Sequence, residues 1–480
     1  MTLERTRGPA NGSFPGEPAI APDLPPPFQP PDEAVRWLFA LNRFGIRPGL
    51  ERINGILADL GHPERDLRTL VVAGTNGKGS TTRTLAHLLQ ASGHRVATYT
   101  SPHLLQVHER ILIDDRPLPP AAFADYVGTM RSLADRHAAS WFEVLTAMAV
   151  LIARDAGVDF LCCEAGLGGR LDASNALPAR ATLLTSVGLD HQAILGATRE
   201  AIAAEKLGLL KRGVPLFCAV DPELRPQVFH AAVTAGSPCH FLDELARWED
   251  GVPGRWHLTL RDRVFAGLPD PGAPVLRRNV ALALLALAQL EGRAGERLLP
   301  AEPAIALRDL FLPGRFHLVL REPDWILDTA HNPQALAEAL SAFKARPCTG
   351  RRLVLFGAMH DKELPAIVGE HLRGCGVVGA PVSLPRSRSA GELAELLVSW
   401  GLAPATEALP AAGQQVVAAD LPAALGLLTD GLGAADAVLV TGSCFLVAEA
   451  LHHLGFANLA DSRVPRPASA APGAPEWGTM

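Results

Sequence analysis

A lysine set among glycines and hydroxyl residues is the part of this sequence best suited to chemistry. An apolar run at residues 70–73 leads into Gly74, Thr75, Asn76, Gly77, Lys78, Gly79, Ser80 and Thr81. Backbone N–H groups at such a turn point at one spot, where a following helix adds about half a positive charge. The lysine supplies a full charge for the β- and γ-phosphates of a nucleotide, and a hydroxyl of Ser80 or Thr81 suits Mg²⁺. We therefore predict a nucleotide-phosphate site.

The turn departs from the strict Walker A pattern, in which the hydroxyl residue follows the lysine directly. Here Gly79 separates Lys78 from Ser80, and Val72 stands where that pattern has its first glycine. The alternative is a turn that joins a strand to a helix without binding a ligand. A lysine among three glycines has little use in packing, which favours the phosphate site.

Apolar runs on both sides of this turn predict the elements that position it. Residues 70–73 are typical of a buried parallel strand, and the period of residues 84–89 predicts a helix. Three further predicted strands are each followed by polar residues: Ser101 after 95–100, Glu164 after 158–163, and Asp190-His191 after 181–186. Open α/β sheets bind ligands outside the carboxyl ends of their strands. A carboxylate such as Glu164 beside a phosphate loop is a candidate Mg²⁺ ligand, and a solvated glutamate is the alternative.

Length and composition argue against several classes of protein. A chain of 480 residues predicts two domains with tails. The net charge of −6 gives no electrostatic footprint for nucleic acid or an anionic membrane. Seven scattered cysteines without a Cys-x-x-Cys pair indicate neither a disulfide framework nor a zinc site. Because no signal-peptide core and no membrane-spanning apolar stretch is found, we predict a cytoplasmic enzyme.

The sequence Gly-Thr-Asn-Gly-Lys-Gly-Ser-Thr resembles the phosphate loop of the ATP-dependent Mur ligase superfamily, in its folylpolyglutamate synthase and dihydrofolate synthase branch. The other stretches that carry this resemblance are Ser101-Pro102-His103-Leu104, the glycine-rich run 164–175, Leu189-Asp190-His191, the helix around Glu205-Lys206, Pro313-Gly314-Arg315 and residues 328–333. Thr329 departs from the family, which has glycine there. The resemblance covers residues 32 to about 455, except for the weakly patterned region 214–276.

The resemblance implies a set of site residues. It makes Ser101, Glu164 and His191 ligands of Mg²⁺, with a plain surface histidine as the alternative for His191. It implies that Lys206 is carboxylated by CO₂ and holds a second Mg²⁺, and that Lys78, Lys206 and His331 are catalytic. The implied nucleotide contacts beyond the loop are Asn279, Arg315 and Asp328. The implied contacts to the pteroate or folate substrate are Phe142, Glu143, Leu171, Asp172 and Ala173.

The resemblance also implies an α/β architecture of the Mur ligase type. An N-terminal P-loop ATPase-like domain with a mostly parallel sheet would occupy 32–312, and a smaller Rossmann-like α/β domain 313–460. Residues 1–31 and 461–480 are rich in proline and alanine and predict disordered tails.

The expected activity is ATP-dependent addition of L-glutamate to dihydropteroate, to the γ-carboxylate of reduced folates, or to both, through an acyl phosphate. The implied partners are small molecules only, with no nucleic acid and no membrane, and the implied state is a monomer. Three alternatives stay open at this point: a folylpolyglutamate synthase alone, another Mur-type amino-acid ligase, or a P-loop NTPase without ligase activity.

Overall fold

A computed structural model of the chain describes residues 32–41, 48–405 and 407–468. The predicted N-terminal tail, 1–31, and most of the predicted C-terminal tail lie outside the described residues. The described chain continues to residue 468, past the tail boundary predicted at residue 461, and residues 466–467 pair with a strand of the second domain.

Helices and strands alternate along much of the chain. The helices, in order, are α1 (Glu33–Ala40), α2 (Glu51–Asp59), α3 (Lys78–Ala91), α4 (Pro120–His137), α5 (Trp141–Asp155), α6 (Gln192–Leu195), α7 (Arg199–Leu207), α8 (Arg225–Ala235), α9 (Leu242–Leu245), α10 (Pro274–Ala294), α11 (Pro303–Ala306), α12 (Pro333–Ala345), α13 (Ile367–Leu372), α14 (Ala390–Ser399), α15 (Leu421–Gly431) and α16 (Cys444–His453). The strands are β1 (Arg68–Ala73), β2 (Val96–Tyr99), β3 (Ile111–Ile113), β4 (Arg116–Pro117), β5 (Phe160–Glu164), β6 (Ala179–Leu184), β7 (Leu216–Cys218), β8 (Cys239–Phe241), β9 (Ala246–Asp250), β10 (Arg255–Leu260), β11 (Arg263–Pro269), β12 (His317–Arg321), β13 (Asp324–Leu327), β14 (Arg352–Phe356), β15 (Gly376–Gly379), β16 (Ala403–Pro404), β17 (Gln414–Val417), β18 (Ala437–Thr441) and β19 (Arg466–Pro467).

The first domain is built on an eight-stranded sheet in the order β4-β3-β2-β5-β1-β6-β7-β8. The six strands from β2 to β8 in this order run parallel, and β3 and β4 are antiparallel at one edge. Successive residues of a strand face opposite sides of its sheet. Leu70 and Val72 pack with α3 and α10, whereas Val71 and Ala73 pack with α7 and α8. The continuous apolar run of β1 therefore has a physical cause, since helices cover both faces.

The second domain carries another eight-stranded sheet, in the order β16-β17-β15-β14-β18-β13-β12-β19. Only β12 and β13 pair antiparallel, and the other neighbouring strands pair parallel. Helices cover both faces here as well. The predicted two-domain α/β architecture is confirmed.

The weakly patterned region contains a third, antiparallel sheet in the order β11-β10-β9. Alternate residues of β10, including Trp256 and Leu258, are buried against the α10 side of the first domain. Among the described residues, no helix is long and apolar enough to cross a membrane.

Removal of the Trp325 side chain tests the core of the second domain. Trp325 on β13 is 1% exposed and belongs to the cluster between the sheet and α15 and α16. We expect Trp325→Ala to lower the free energy of unfolding of this domain by about 3–5 kcal/mol, because it leaves a cavity. Urea denaturation measures the change. The control is Val398→Ala, whose side chain is 53% exposed and whose effect is expected to stay within about 0.5 kcal/mol.

Candidate active site between the two domains

The phosphate loop, residues 74–79, follows β1 and requires glycine at two positions. Gly77 is the N-cap of α3 and has a φ of 87°, and Gly74 has a φ of 150°. A Cβ on Gly74 would lie 1.9 Å from Oγ1 of Thr185, so a side chain there collides with the neighbouring strand end. The Thr75 N–H donates to the Ser186 carbonyl over 2.7 Å, which fixes the loop to that strand end.

Lys78 and two hydroxyl residues, Ser80 and Thr81, lie on the first turn of α3. Lys78 Nζ donates to the Thr75 carbonyl over 3.1 Å, so the ammonium group folds back over the loop. The hydroxyl oxygens of Ser80 and Thr81 are buried and have no hydrogen-bond partner among the described residues. Buried hydroxyls usually find a partner, and a phosphate or a hydrated cation would provide one.

Glu164 lies at the end of β5, where the sequence predicts a metal ligand. It is 3% exposed, and its Oε2 accepts a hydrogen bond from the Ser101 N–H over 3.0 Å. A Cβ on Gly79 would lie 3.2 Å from the same oxygen, so glycine lets the loop approach the carboxylate. Burial raises the pKa of Glu164, and the nearby Lys78 ammonium opposes that shift.

The turn that contains Ser101 is held by Glu109, a residue to which the sequence analysis assigned no role. The Glu109 carboxylate accepts hydrogen bonds from the N–H groups of Leu104, Leu105 and Gln106 at 2.8–3.3 Å. Burial raises the pKa of Glu109 to about 7, although these hydrogen bonds oppose the shift. The signal in the sequence is a glutamate a few residues after a polar turn, a spacing that is common on protein surfaces.

Two of the three predicted metal ligands are in direct contact, since the Ser101 N–H donates to Glu164. His191 is the N-cap of α6 with a φ of 50°, and burial together with the charges of Lys362 and Lys78 lowers its pKa to about 4. Within the described parts of the chain, no group of three His, Cys, Asp or Glu side chains could hold a metal ion. Mg²⁺ prefers oxygen ligands and keeps waters and phosphate oxygens, so Glu164 with the unpartnered hydroxyl of Ser80 in the same cavity fits this ion.

Lys206 on α7 is buried directly behind the phosphate loop. It is 5% exposed, and its Nζ donates to the Gly74 carbonyl over 2.9 Å. Burial and, to a smaller extent, the charge of Lys78 lower the pKa of Lys206 to about 7. A lysine in this state holds a substantial neutral fraction near pH 7, which is the form that reacts with CO₂.

Asp172 is held rigidly by the glycine-rich loop that follows β5. Its Oδ2 accepts from the Leu167 N–H over 2.8 Å, and its Oδ1 accepts from the N–H and the hydroxyl of Ser174 over 2.9 and 2.6 Å. Burial raises the pKa of Asp172. Ala173 is buried beside it, whereas the apolar side chain of Leu171 is 36% exposed. A fixed carboxylate beside an accessible apolar side chain can orient a flat heterocycle.

Glu143 has partners within the protein that the sequence analysis did not assign to it. Its carboxylate pairs with the Arg52 guanidinium at 3.0 Å and accepts from the Ser140 N–H at 2.8 Å, in a capping box that begins α5. The structure therefore gives Glu143 a structural role, and the substrate contact stays a prediction. Phe142 lies against the glycine-rich loop, since a Cβ on Gly166 would lie 2.4 Å from its ring.

Asn279 on α10 lies against the phosphate loop. Its Oδ1 is 2.5 Å from the position that a Cβ on Gly77 would take, and the residue is 6% exposed. The predicted nucleotide contact is thus placed at the loop, from an element about 200 residues further along the chain. The Asn279 side chain leaves no room for a Cβ at residue 77, so glycine is required there for this reason as well as for its φ.

Arg315 and Asp328 enter the site from the second domain. The Asp328 carboxylate accepts from the N–H groups of Phe316 and Ala330 over 2.8 and 2.9 Å, which fixes the linker segment that carries Arg315. Burial raises the pKa of Asp328, and the charge of Arg315 opposes the shift. Thr329 is not among the described residues with positive φ, so its backbone does not require the glycine that the family has there.

A cavity between the domains is lined by some of these residues, whereas Lys78, Asn279 and Asp328 are not among its lining residues. It is lined by Ser80, Arg83 and Glu164 from the first domain and by Arg315 and Thr329 from the second. Arg83 was missed by the sequence analysis. Its spacing from Ser80 on α3 is three residues, which places both on one face of the helix, and this could have identified it. His331 lies at the edge of the site, with Nδ1 2.9 Å from the Thr329 carbonyl oxygen.

Comparison with known proteins identifies the same architecture. A family model described as "Mur ligase, glutamate ligase domain" matches residues 314–444. The dihydrofolate synthase/folylpolyglutamate synthase of Bacillus subtilis (strain 168) is 33% identical over 343 residues, which span 69% of this chain and 80% of that relative.

Solved structures agree with the sequence relative. Escherichia coli FolC in complex with DHPP and ADP has a TM-score of 0.76 at 30% identity, covering 91% of this chain and 98% of that one. A bifunctional folylpolyglutamate synthase/dihydrofolate synthase with Mn, AMPPNP and L-glutamate bound has a TM-score of 0.74 at 32% identity, covering 87% and 97%. Both the sequence and the fold therefore place the chain in the dihydrofolate synthase/folylpolyglutamate synthase family of Mur-type ligases.

Proposed function

We propose that this chain uses ATP to join L-glutamate to dihydropteroate, to the γ-carboxylate of reduced folates, or to both. The observation that carries the proposal is the cavity in which a phosphate loop, a buried carboxylate and an arginine of the second domain face one another. Relatives of similar sequence bind ADP, AMPPNP, DHPP and L-glutamate. We also propose a monomer, because one chain supplies both walls of the cavity.

The proposed reaction has two steps. An oxygen of the acceptor carboxylate attacks the γ-phosphorus of ATP, the bond to ADP breaks, and an acyl phosphate forms. The amine of L-glutamate then attacks the acyl carbon, inorganic phosphate leaves with its bridging oxygen, and the amine loses a proton. Carboxylate and γ-phosphate repel one another, so catalysis depends on positioning and charge neutralisation.

Residues of both domains would share this task. Lys78 would neutralise the transferred phosphoryl group from the first domain, and Arg315 would approach from the second. Ser101, Glu164 and the predicted ligand His191 would hold Mg²⁺, which when bound orients the phosphates and neutralises their charge. Closure of the second domain would exclude water from the acyl phosphate.

Carboxylation of Lys206 would convert a buried cation into an anion behind the loop. Its support is the burial of Lys206, the hydrogen bond from its Nζ to the Gly74 carbonyl, and a pKa lowered to about 7. The carbamate would provide oxygens for a second Mg²⁺, which a lysine ammonium cannot.

Turnover is expected to depend on pH and dissolved CO₂ through Lys206. Because the pKa of this lysine is about 7, protonation blocks carboxylation below that pH, and the neutral amine dominates above it. We therefore expect kcat to rise from pH 6 to pH 8 in bicarbonate buffer, and to fall several-fold in buffer purged of CO₂. Steady-state rates at matched ionic strength measure this effect. Rates indifferent to CO₂ at pH 7 would contradict carboxylation.

The acceptor is identified by ADP release from the purified protein with Mg-ATP and L-glutamate. Separate reactions contain dihydropteroate, tetrahydrofolate or neither. Release that requires an acceptor supports the ligase, and response to tetrahydrofolate alone reduces the proposal to a folylpolyglutamate synthase. Equal release in all three reactions overturns it in favour of an NTPase without ligase activity. Release only with a non-folate acceptor would indicate another Mur-type ligase.

A further inference from the structure

Asp190 connects the first domain to three side chains of the second. Its Oδ1 accepts from Lys362 Nζ over 2.8 Å, and its Oδ2 accepts from Asn332 Nδ2 over 3.4 Å. The same Oδ2 lies 3.6 Å from Nε2 of His331. The side chains of Asp190 and Lys362 are only 11% and 14% exposed, so the pair is largely removed from water.

Asn332 extends this connection to the phosphate loop. Its amide pairs reciprocally with that of Asn76, with Nδ2 of Asn332 2.8 Å from Oδ1 of Asn76 and the opposite bond at 3.3 Å. Asn332 is also the N-cap of α12, where its Oδ1 accepts from the Ala335 N–H over 3.0 Å. One side chain thus joins the loop, Asp190 and the first helix of the second domain.

A second contact lies beside this cluster at the same interface. Gln192 Nε2 donates to the Glu363 carboxylate over 3.0 Å. Gln192 is two residues after Asp190 in the first domain, and Glu363 directly follows Lys362 in the second. Glu363 is exposed, so water screens this bond and its contribution is smaller. The pair of Asp190 and Lys362 is the more enclosed of these two contacts.

We propose that Asp190 is a positioning residue that holds the second domain in its closed position over the phosphate loop. It acts through Lys362 and Asn332 and makes no contact with the reacting atoms. The proposal rests on the proposed function for its kinetic readout only. Its structural readout, the arrangement of the two domains, is independent of any reaction.

The physical reason is the negative charge of the largely buried Asp190 carboxylate. An ionised carboxylate that accepts from a lysine ammonium forms a stronger hydrogen bond than an amide does. When the domains separate, Asp190 and Lys362 each regain water, so replacement of the charge shifts the balance towards the open arrangement. Binding of L-glutamate and turnover both need the closed arrangement. ADP loses the predicted contacts to Arg315 and Asp328 when the domains separate, but it keeps those to the phosphate loop and Asn279.

The test compares Asp190→Asn and Lys362→Met with the unchanged protein. We expect each variant to lower kcat/KM for L-glutamate by about 30-fold or more, while Kd for ADP rises by less than about fivefold, because the phosphate loop keeps its contacts. Small-angle X-ray scattering with Mg-ADP should show a larger radius of gyration for both variants. The control is Asp59→Asn, an aspartate paired with Arg136 and His137 inside the first domain, for which neither readout should change.

Two further variants show whether Asp190 and Lys362 act together to hold the domains closed: the double variant, and Asp190→Glu, whose carboxylate side chain is longer. If the two residues act as a pair, Asp190→Asn with Lys362→Met is no worse than the stronger single variant. Asp190→Glu, which keeps the charge, should recover part of kcat/KM. An unchanged radius of gyration, or fully additive single effects, overturns the proposal. Absence of any glutamate ligation in the unchanged protein refutes the proposed function, and scattering still tests whether Asp190 holds the domains closed.

Discussion

Lys78→Met is expected to lower ligase turnover by about 10³-fold or more, with the protein still folded. The ammonium lies over the phosphate loop, where the γ-phosphate is expected to bind. Methionine has a similar length without the charge, so the repulsion between carboxylate and phosphate is left unopposed. Steady-state ADP release, measured with saturating acceptor and L-glutamate, reports the loss.

The control for this variant is Lys344→Met, at the end of α12 that lies away from the cleft. It removes the same charge from the second domain and should retain turnover within about twofold. Thermal unfolding of both variants should match that of the unchanged protein. Turnover by Lys78→Met within tenfold of the unchanged rate would mean that the loop does not bind the transferred phosphate.

Lys206→Ala is expected to lower turnover by about 10²-fold or more, because the carbamate and its oxygens are lost. The variant leaves a buried space beside the Gly74 carbonyl, where Nζ now donates. A short carboxylic acid such as acetate or propionate has the oxygens of a carbamate and fits such a space. We therefore expect millimolar acetate or propionate to restore part of the rate.

Two comparisons make the carboxylation result specific. Lys206→Arg keeps a positive charge but cannot form the carbamate, and it should stay as inactive as the alanine variant. Lys211→Ala removes a nearby lysine that donates to the Asn175 and Leu177 carbonyls, and carboxylates should not rescue any loss it causes. Full activity of Lys206→Arg would show that a cation suffices at this position, and carboxylation would be refuted.

Local rules account for the parts of the site that the sequence predicts well. The phosphate loop lies between an apolar strand and a helix. Its glycines are required by positive φ angles and by side chains that lie too close for a Cβ. Glu164 was placed correctly at a strand end because a buried parallel strand has a recognisable apolar run. These features depend on a dozen neighbouring residues, so the sequence contains them directly.

Contacts between distant segments account for the parts that it does not predict. Asp190 and Lys362 are separated by 172 residues, and no local pattern indicates that they meet. The region of β9–β11 is typical of strand and loop material, but its pattern does not say which strands pair into the third sheet. Glu143 combines both kinds of contact. Its capping box with Ser140 is a local pattern that can be read in the sequence, whereas its ion pair with Arg52 joins distant segments.

The path of one oxygen atom distinguishes an acyl phosphate mechanism from hydrolysis of ATP by water. The acceptor is prepared with a heavy oxygen isotope in its reacting carboxylate, and the phosphate released during turnover with ATP and L-glutamate is analysed by mass spectrometry. An acyl phosphate transfers one labelled oxygen to each phosphate formed, so we predict labelled phosphate in proportion to the amide product. Unlabelled phosphate, formed at the same rate as ADP, would mean that water attacks the nucleotide and would contradict the ligase mechanism.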